Sequence, residues 1–326
     1  MKREHLPAMM TRVVEPSVSP QTVIASLRRQ LNHALRGKPE ACDLALACLL
    51  ARGHLLIEDA PGLGKTTLAK ALADLAGGRF ARIQCTPDLL PTDITGFTLF
   101  NQQTREFEFR PGPVFADVLL TDEINRATPR TQSALLEAMS ERQVSVDDTS
   151  HRLAPSFFVV ATQNPVEHLG TYPLPEAQLD RFTMKIHIGH PERDDEVAML
   201  RHSGRFTHDP EESVLDRSGL EWLQSHVAET EVSASVAGYI VDLGRACRKR
   251  LGETHGPSPR GLLAWQQAAR AWAVLEGRQH VIPDDVQRVA SPVLGVRLGL
   301  SPELLHTTLD DLLTDVAVPV IGSGDA

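Results

Sequence analysis

The stretch His54-Leu-Leu-Ile-Glu-Asp-Ala-Pro-Gly-Leu-Gly-Lys-Thr-Thr-Leu-Ala-Lys-Ala-Leu-Ala73 constrains this chain more than any other. It opens on the apolar run Leu55-Leu56-Ile57, long enough for a buried strand. A glycine-punctuated turn follows, and Leu68, Leu72 and Leu75 then recur at helical spacing until Gly77-Gly78 ends the helix. A strand, a turn over Pro61, Gly62, Leu63, Gly64, Lys65, Thr66 and Thr67, and a helix together make a phosphate cradle. Gly62 and Gly64 let the backbone bend so that its N–H groups face phosphate oxygens, and the helix N-terminus adds partial positive charge. Lys65 has the reach for terminal phosphates, and the Thr66 hydroxyl suits Mg²⁺. The usual pattern starts with a glycine five residues before Gly64, where this chain carries Asp59.

Hydrolysis needs more than a cradle. Val118-Leu-Leu-Thr-Asp-Glu123 reads as a buried strand ending in two carboxylates. Asp122 suits the Mg²⁺ waters, and Glu123 suits the task of orienting and polarising an attacking water. Asn164 ends another apolar strand, where its amide can meet the water or the γ-phosphate; a cap or turn before Pro165 is the competing reading. Arg181 and Arg260 are candidates for neutralising transition-state charge, among many arginines that serve only the surface.

Composition narrows the setting. At 326 residues with 42% hydrophobic and 23% charged residues, the chain is an ordinary globular protein with room for two domains. A formal net charge of -9 argues against bulk attraction to nucleic acid or anionic membrane. No apolar run is long enough to cross a bilayer. Cys42, Cys48, Cys85 and Cys247 are scattered without a Cys-x-x-Cys pair, which fits buried thiols in a reducing cytoplasm.

Taken in order, residues 1–20 read as a flexible tail and 21–190 as an αβα nucleotide-binding domain. Within it, residues 86–113 are long for a connection, with phenylalanines spaced for a small strand pair. Residues 143–153 alternate around a polar turn and read as a hairpin. Strands alternating with helices predict an α/β core with a mainly parallel sheet covered on both faces. After His190-Pro191 every periodic segment is helical, giving an all-helical domain over 191–321 and a short tail over 322–326. All three tryptophans, Trp222, Trp265 and Trp272, fall in this helical part and suit its core.

Several segments together resemble one family. They are Pro91-Thr-Asp-Ile-Thr-Gly96, Phe107-Glu-Phe-Arg-Pro-Gly-Pro-Val-Phe115, Thr121-Asp-Glu-Ile-Asn-Arg-Ala127, Thr131-Gln-Ser-Ala-Leu-Leu-Glu-Ala-Met139 and Ala161-Thr-Gln-Asn-Pro165. Gly170-Thr-Tyr-Pro-Leu-Pro-Glu-Ala-Gln-Leu-Asp-Arg-Phe182 and Ser258-Pro-Arg260 extend the match. The chain resembles the MoxR family of AAA+ ATPases from about Gln21 to Leu300. The resemblance implies ATP and Mg²⁺ as ligands, Lys65 and Thr66 in Walker A, Asp122 and Glu123 in Walker B, and Asn164 as the first sensor. It implies Arg181 as an arginine finger acting on a neighbouring subunit, and Arg260 as a second sensor reporting nucleotide state to a helical lid. Residues 86–113 would hold the helix-2 insert and 143–153 the hairpin before the first sensor. A ring, typically a hexamer, follows from a finger acting in trans. Near the adenine side the family often shows Val-Gly-Gln, and this chain has Arg36-Gly37-Lys38.

The resemblance further implies a chaperone-like remodelling ATPase whose partners carry von Willebrand factor A domains. A DNA motor or loader resembling the MCM relatives and a magnesium-chelatase-type motor subunit are the alternatives. A DNA-reading hairpin needs cations at its tip, and here the tip is Asp147-Asp148. Leu-Pro-Glu-Ala-Gln-Leu-Asp-Arg-Phe182 favours MoxR over the chelatase. A scaffold that binds ATP without turnover is opposed by the intact Glu123, Asn164, Arg181 and Arg260.

Overall fold

The computed structural model describes residues 19–164, 170–201, 215–252 and 256–319. Two helices, α1 (Pro20–Ala34) and α2 (Pro39–Leu50), precede the strand β1 (Leu55–Glu58) and the helix α3 (Lys65–Leu75). Then come β2 (Phe80–Gln84), α4 (Pro91–Thr95), the hairpin of β3 (Gly96–Asn101) and β4 (Glu106–Pro111), and β5 (Val118–Asp122). The helix α5 (Pro129–Glu141) leads into a second hairpin, β6 (Gln143–Val146) with β7 (Thr149–Arg152), and then to β8 (Phe158–Gln163), α6 (Glu176–Leu179) and β9 (Met184–Ile186). Everything described beyond is helical: α7 (Arg193–Arg201), α8 (Arg217–Glu229), α9 (Ala234–Leu251), α10 (Pro259–Leu275), α11 (Pro283–Arg288), α12 (Ala290–Gly295) and α13 (Pro302–Asp315).

The end of the expected N-terminal tail belongs to the fold. Ser19 caps α1 by accepting from the Thr22 N–H, and Pro20 takes the first helical position, where its missing N–H costs nothing. The rest of that tail and the expected tail over 322–326 lie outside the described residues.

Five parallel strands run in the order β2-β5-β8-β1-β9. Strand periodicity sorts their side chains between two cores, which explains why the strands read as unbroken apolar runs. Leu55, Ile57, Val118, Leu120, Phe158 and Val160 join α1, α2 and α3 on one face. Leu56, Leu119, Phe157, Val159 and Ala161 join α5 and β6 on the other. The first core continues without a break into the C-terminal helices, through Leu223, Ile240, Trp265, Ala269 and Val293. The helical region therefore shares one apolar interior with α1–α3. Trp265 sits in it, 1% exposed, with its indole N–H donating to the Val286 carbonyl.

Polar ties fix the same join. Gln224 donates to the Leu49 carbonyl, and Arg217 at the start of α8 holds both oxygens of Asp117, a buried carboxylate just before β5. Hydrogen bonds from Arg79, Ser156 and Arg217 outweigh the cost of burial and lower the Asp117 pKa. The two hairpins also meet, with the Phe109 ring stacked on His151 at 3.9 Å. At the tip of the second hairpin Asp147 adopts a left-handed backbone, and Asp147 and Asp148 are exposed.

Candidate active site

Parallel strands deliver their carboxyl ends to one edge of the sheet, and the phosphate loop leaves β1 there. Gly62 and Gly64 stand at φ +87 and +89, a region that side chains with a Cβ disfavour. No protein atom lies within 4 Å of where a Cβ on Gly62 would point. α3 has no side-chain cap, and its first backbone bond runs from Leu68 to the Gly64 carbonyl. The N–H groups of residues 62–67 consequently donate to no acceptor among the described residues. Half a dozen converging donors at the positive end of an eleven-residue helix fit an anion of several oxygens. Lys65 turns its ammonium to the Asp59 carbonyl at 2.7 Å. Partial burial lowers its pKa, against the pull of Asp59, Asp122 and Glu123. The four charges thus lie within electrostatic reach of one another.

The two acids stand on different backbones. β5 ends at Asp122, and Glu123, expected within the strand, is instead left-handed at φ 55, ψ 51. That turn re-aims its side chain; Thr162 of the neighbouring β8 holds it by accepting the Glu123 N–H at 2.9 Å and donating to Asp122 Oδ1 at 3.2 Å. Arg82 of β2 grips Asp122 Oδ2 with Nε at 2.8 Å and Nη2 at 2.7 Å. Glu123 Oε2 accepts from Gln84 and from Arg126, each at 3.0 Å. Its Oε1 has no donor among the described residues.

Asp59, the departure from the usual glycine, has a structural task. Its carboxylate is 8% exposed and accepts from the N–H groups of Ile188 at 2.5 Å and Gly189 at 3.3 Å, just past β9. Its own N–H donates to the Gln163 carbonyl. One residue thus ties the phosphate loop to the strand carrying Asn164 and to the segment entering the helical region. Asn164 follows Gln163 at the same edge and is buried. The Arg36–Lys38 loop closes the side of the site: Leu35 packs on Gly64, Lys38 donates to the His190 carbonyl, and Gly37 abuts Asp195.

Arg181 and Arg260 lie at the other end of the sheet. The Thr183 N–H donates to the His54 carbonyl, so Arg181 precedes the start of β9 at the level where β1 begins. A strand length of roughly 13 Å separates that level from the phosphate loop. Arg181 is half-buried, with Nη1 on the Leu136 carbonyl at 2.7 Å and on Ser140 at 2.5 Å. Arg260 opens α10 beside it, because the cap residue Ser258 donates to Asp180 at 2.9 Å. Arg260 is exposed, and no hydrogen bond or ion pair among the described residues occupies it. A second sensor serving its own chain's nucleotide would stand at the phosphate edge, and Arg260 does not.

Comparison with known proteins identifies the family. Residues 54–184 match the model of the ATPase family associated with various cellular activities (AAA), and residues 245–316 match the AAA lid domain. Chaperone MoxR1 of Mycobacterium tuberculosis is 39% identical over 90% of this chain and 82% of its own length. The chain belongs to the MoxR family of AAA+ ATPases. Protein YeaC of Bacillus subtilis is 45% identical, covering 89% of this chain and 93% of that protein. A solved structure from Cytophaga hutchinsonii superposes with a TM-score of 0.83 at 33% identity, covering 92% of this chain and 96% of that one.

As a MoxR-type AAA+ protein the chain hydrolyses ATP. Sequence reasoning missed Arg82, Gln84, Arg126 and Thr162, which hold the two acids. A signal for the first two was available: polar residues at i and i+2 on a strand place both on one face, and Gln84 is in register with Asp122. Thr162 and Arg126 gave none, since only the strand register and the turn at Glu123 bring them into contact.

Proposed function

We propose that this chain works as a ring of identical subunits in which Arg181 and Arg260 both act on the nucleotide held by a neighbour. The supporting observation is the separation just described: within one chain, the phosphate loop and acids occupy one edge of the sheet and both arginines the other. Each nucleotide then meets Lys65, Glu123 and Asn164 from one subunit and two cations from the next. Thr66 and Asp122 would hold Mg²⁺, which would supply charge neutralisation on the phosphates. Lys65 leaves the Asp59 carbonyl for a phosphate oxygen, and Glu123 Oε1 takes the proton of the attacking water.

The work done with this hydrolysis is, on this reading, remodelling or assembly of partner proteins, with von Willebrand factor A domain proteins as the client class. The relative named Chaperone MoxR1 supports the chaperone side. The acidic, exposed tip at Asp147-Asp148 counts against a nucleic-acid track.

Mixed assemblies test the ring. Arg181→Ala and Lys65→Ala proteins are each expected to be inactive, the arginine change costing roughly 10³-fold or more in turnover. Mixed together, they regain activity wherever an intact arginine face meets an intact phosphate loop. Absence of any regain in assemblies shown to contain both chains refutes action in trans. Glu123→Gln protein held with ATP then serves as bait: ATP-dependent recovery of a von Willebrand factor A domain protein supports the client class, and nuclease-sensitive recovery refutes it.

A further inference from the structure

Behind the arginine face lies a polar cluster that the hydrolysis itself does not use. Arg297, just beyond α12, is 7% exposed, and its guanidinium is fully engaged. Nε donates to Asp180 Oδ1 at 2.8 Å; Nη1 donates to the carbonyls of Val293 at 2.7 Å and Thr183 at 3.2 Å. Nη2 donates to the carbonyls of Phe182 at 3.1 Å and Asp180 at 3.5 Å. The turn from Asp180 to Thr183, which carries Arg181, is thus clamped by a residue of the helical region. The other carboxylate oxygen of Asp180 accepts from Ser258 at 2.9 Å, while Ser258 also caps α10 by accepting from Gly261 at 3.0 Å. One carboxylate is therefore gripped on one side by Arg297 and on the other by the cap of the helix that begins Pro259-Arg260. Arg181 follows it directly in the chain, and Arg260 stands two residues beyond Ser258.

Packing alone does not ask for this arrangement. A buried ion pair contributes little net stability over apolar residues of the same volume, but it fixes a geometry, because each partner tolerates few others. Here the geometry fixed is that of the two backbone turns that carry Arg181 and Arg260. Burial lowers the Arg297 pKa and the carboxylate of Asp180 opposes that shift.

We infer that Asp180, Arg297 and Ser258 are positioning residues that fix the turns from which Arg181 and Arg260 reach toward the neighbouring subunit's nucleotide. The inference rests on the trans reading above. It makes the helical region part of the finger: α10 and α12 set where the cations stand, and a displacement of either moves them.

The test uses the assembled full-length protein and compares Ser258→Ala, Ser258→Thr, Arg297→Lys and Arg260→Ala. Turnover at saturating Mg·ATP, affinity for a fluorescent ADP analogue and particle size are measured. A misplacement of about 1 Å costs on the order of 100-fold, so Ser258→Ala and Arg297→Lys are expected to lower kcat by roughly 10- to 100-fold. Affinity and assembly stay unchanged, and Ser258→Thr, which keeps the hydroxyl, restores turnover. Undiminished kcat in Ser258→Ala and Arg297→Lys, with Arg260→Ala inactive, overturns the inference and leaves the trans reading standing. Full activity of Arg260→Ala itself removes the trans reading of that residue, and the inference with it.

Discussion

Replacing Asp59 by glycine restores the residue that phosphate loops usually carry at this position, and the structure predicts an outcome opposite to repair. The carboxylate faces Ile188 and Gly189, not the loop's N–H groups; only the backbone carbonyl of Asp59 meets Lys65. Asp59→Gly keeps that carbonyl and removes two charge-assisted acceptors. Hydrogen bonds to a charged group contribute about 1.5–3 kcal/mol each. The Ile188 N–H is buried and close, so it takes the upper half of that range. The Gly189 N–H is longer at 3.3 Å and half-exposed, so water replaces most of its share. Glycine adds backbone entropy to the unfolded chain worth about 0.5–1 kcal/mol. The sum is a destabilisation of about 3 kcal/mol, or roughly 5–10 °C in Tm. Nucleotide affinity, measured by titration below the new Tm, is expected to stay within about threefold, since each tenfold change requires about 1.4 kcal/mol at the phosphates. Affinity reduced tenfold or more with an unchanged Tm refutes the reasoning, because the carboxylate would then belong to the nucleotide site.

Three further outcomes follow from the same geometry. Glu123→Gln keeps the acceptor for Gln84 and Arg126 but loses the basic oxygen; turnover is expected to fall by roughly 10²–10⁴-fold with ATP affinity intact, and undiminished turnover in a single-turnover assay would remove the base. His54 is 5% exposed, with burial as the main cause of a pKa lowered to about 3 from 6.5, Arg142 adding to it and the hydrogen bond to Met139 opposing it. A depressed folded pKa gives stability that is complete above the unfolded value and is lost as pH falls, so lowering pH from 6.5 to 5 is expected to cost about 2 kcal/mol; urea melts of His54→Gln should lack that slope, and an identical slope refutes it. Phe107 on the β3–β4 hairpin is 76% exposed, so Phe107→Ser should leave stability within about 0.5 kcal/mol in urea melts, and a larger loss would mean the ring is covered.

Much of the fold was legible because its signals are local. Leu55-Leu56-Ile57, Gly62, Gly64 and the leucines of α3 lie within one short stretch, and each obeys a rule of periodicity or backbone freedom that neighbours do not alter. The caps at Thr128 and Ser258 share one local pattern, a hydroxyl followed at once by proline. What sequence did not yield depends on register between distant strands. Glu123 reads as one more strand residue until Thr162 is known to stand beside it and accept its N–H. Asp59 reads as a defect until β9 is aligned with β1, which brings Ile188 and Gly189 over its carboxylate. The shared core of α1–α3 with the C-terminal helices was hidden for the same reason: an apolar stripe on α10 shows that it is covered, not that α2 covers it.

The placement of the arginines is itself a consequence of parallel topology. In a parallel sheet every strand points its carboxyl end to the same edge, so a loop that leaves β1 and acids that leave β5 must meet. By the same rule a residue just before β9 must stand at the opposite edge, and no side-chain rotamer of Arg181 spans the strand between. Lys65 is then the cation that a single chain brings to its own phosphate loop from the residues singled out by sequence. If the proposed action in trans holds, loss of either partner face should reduce turnover far more than binding: the N–H cradle and Lys65 would retain the nucleotide, while charge developing at the γ-phosphate would lose the cations of the next subunit. That division predicts a concentration dependence. Turnover per chain should rise steeply with protein concentration as subunits meet, while the affinity of each chain for nucleotide stays nearly flat. Turnover per chain that is constant over a range in which the particle dissociates to monomers would place the whole reaction within one chain and contradict the geometry.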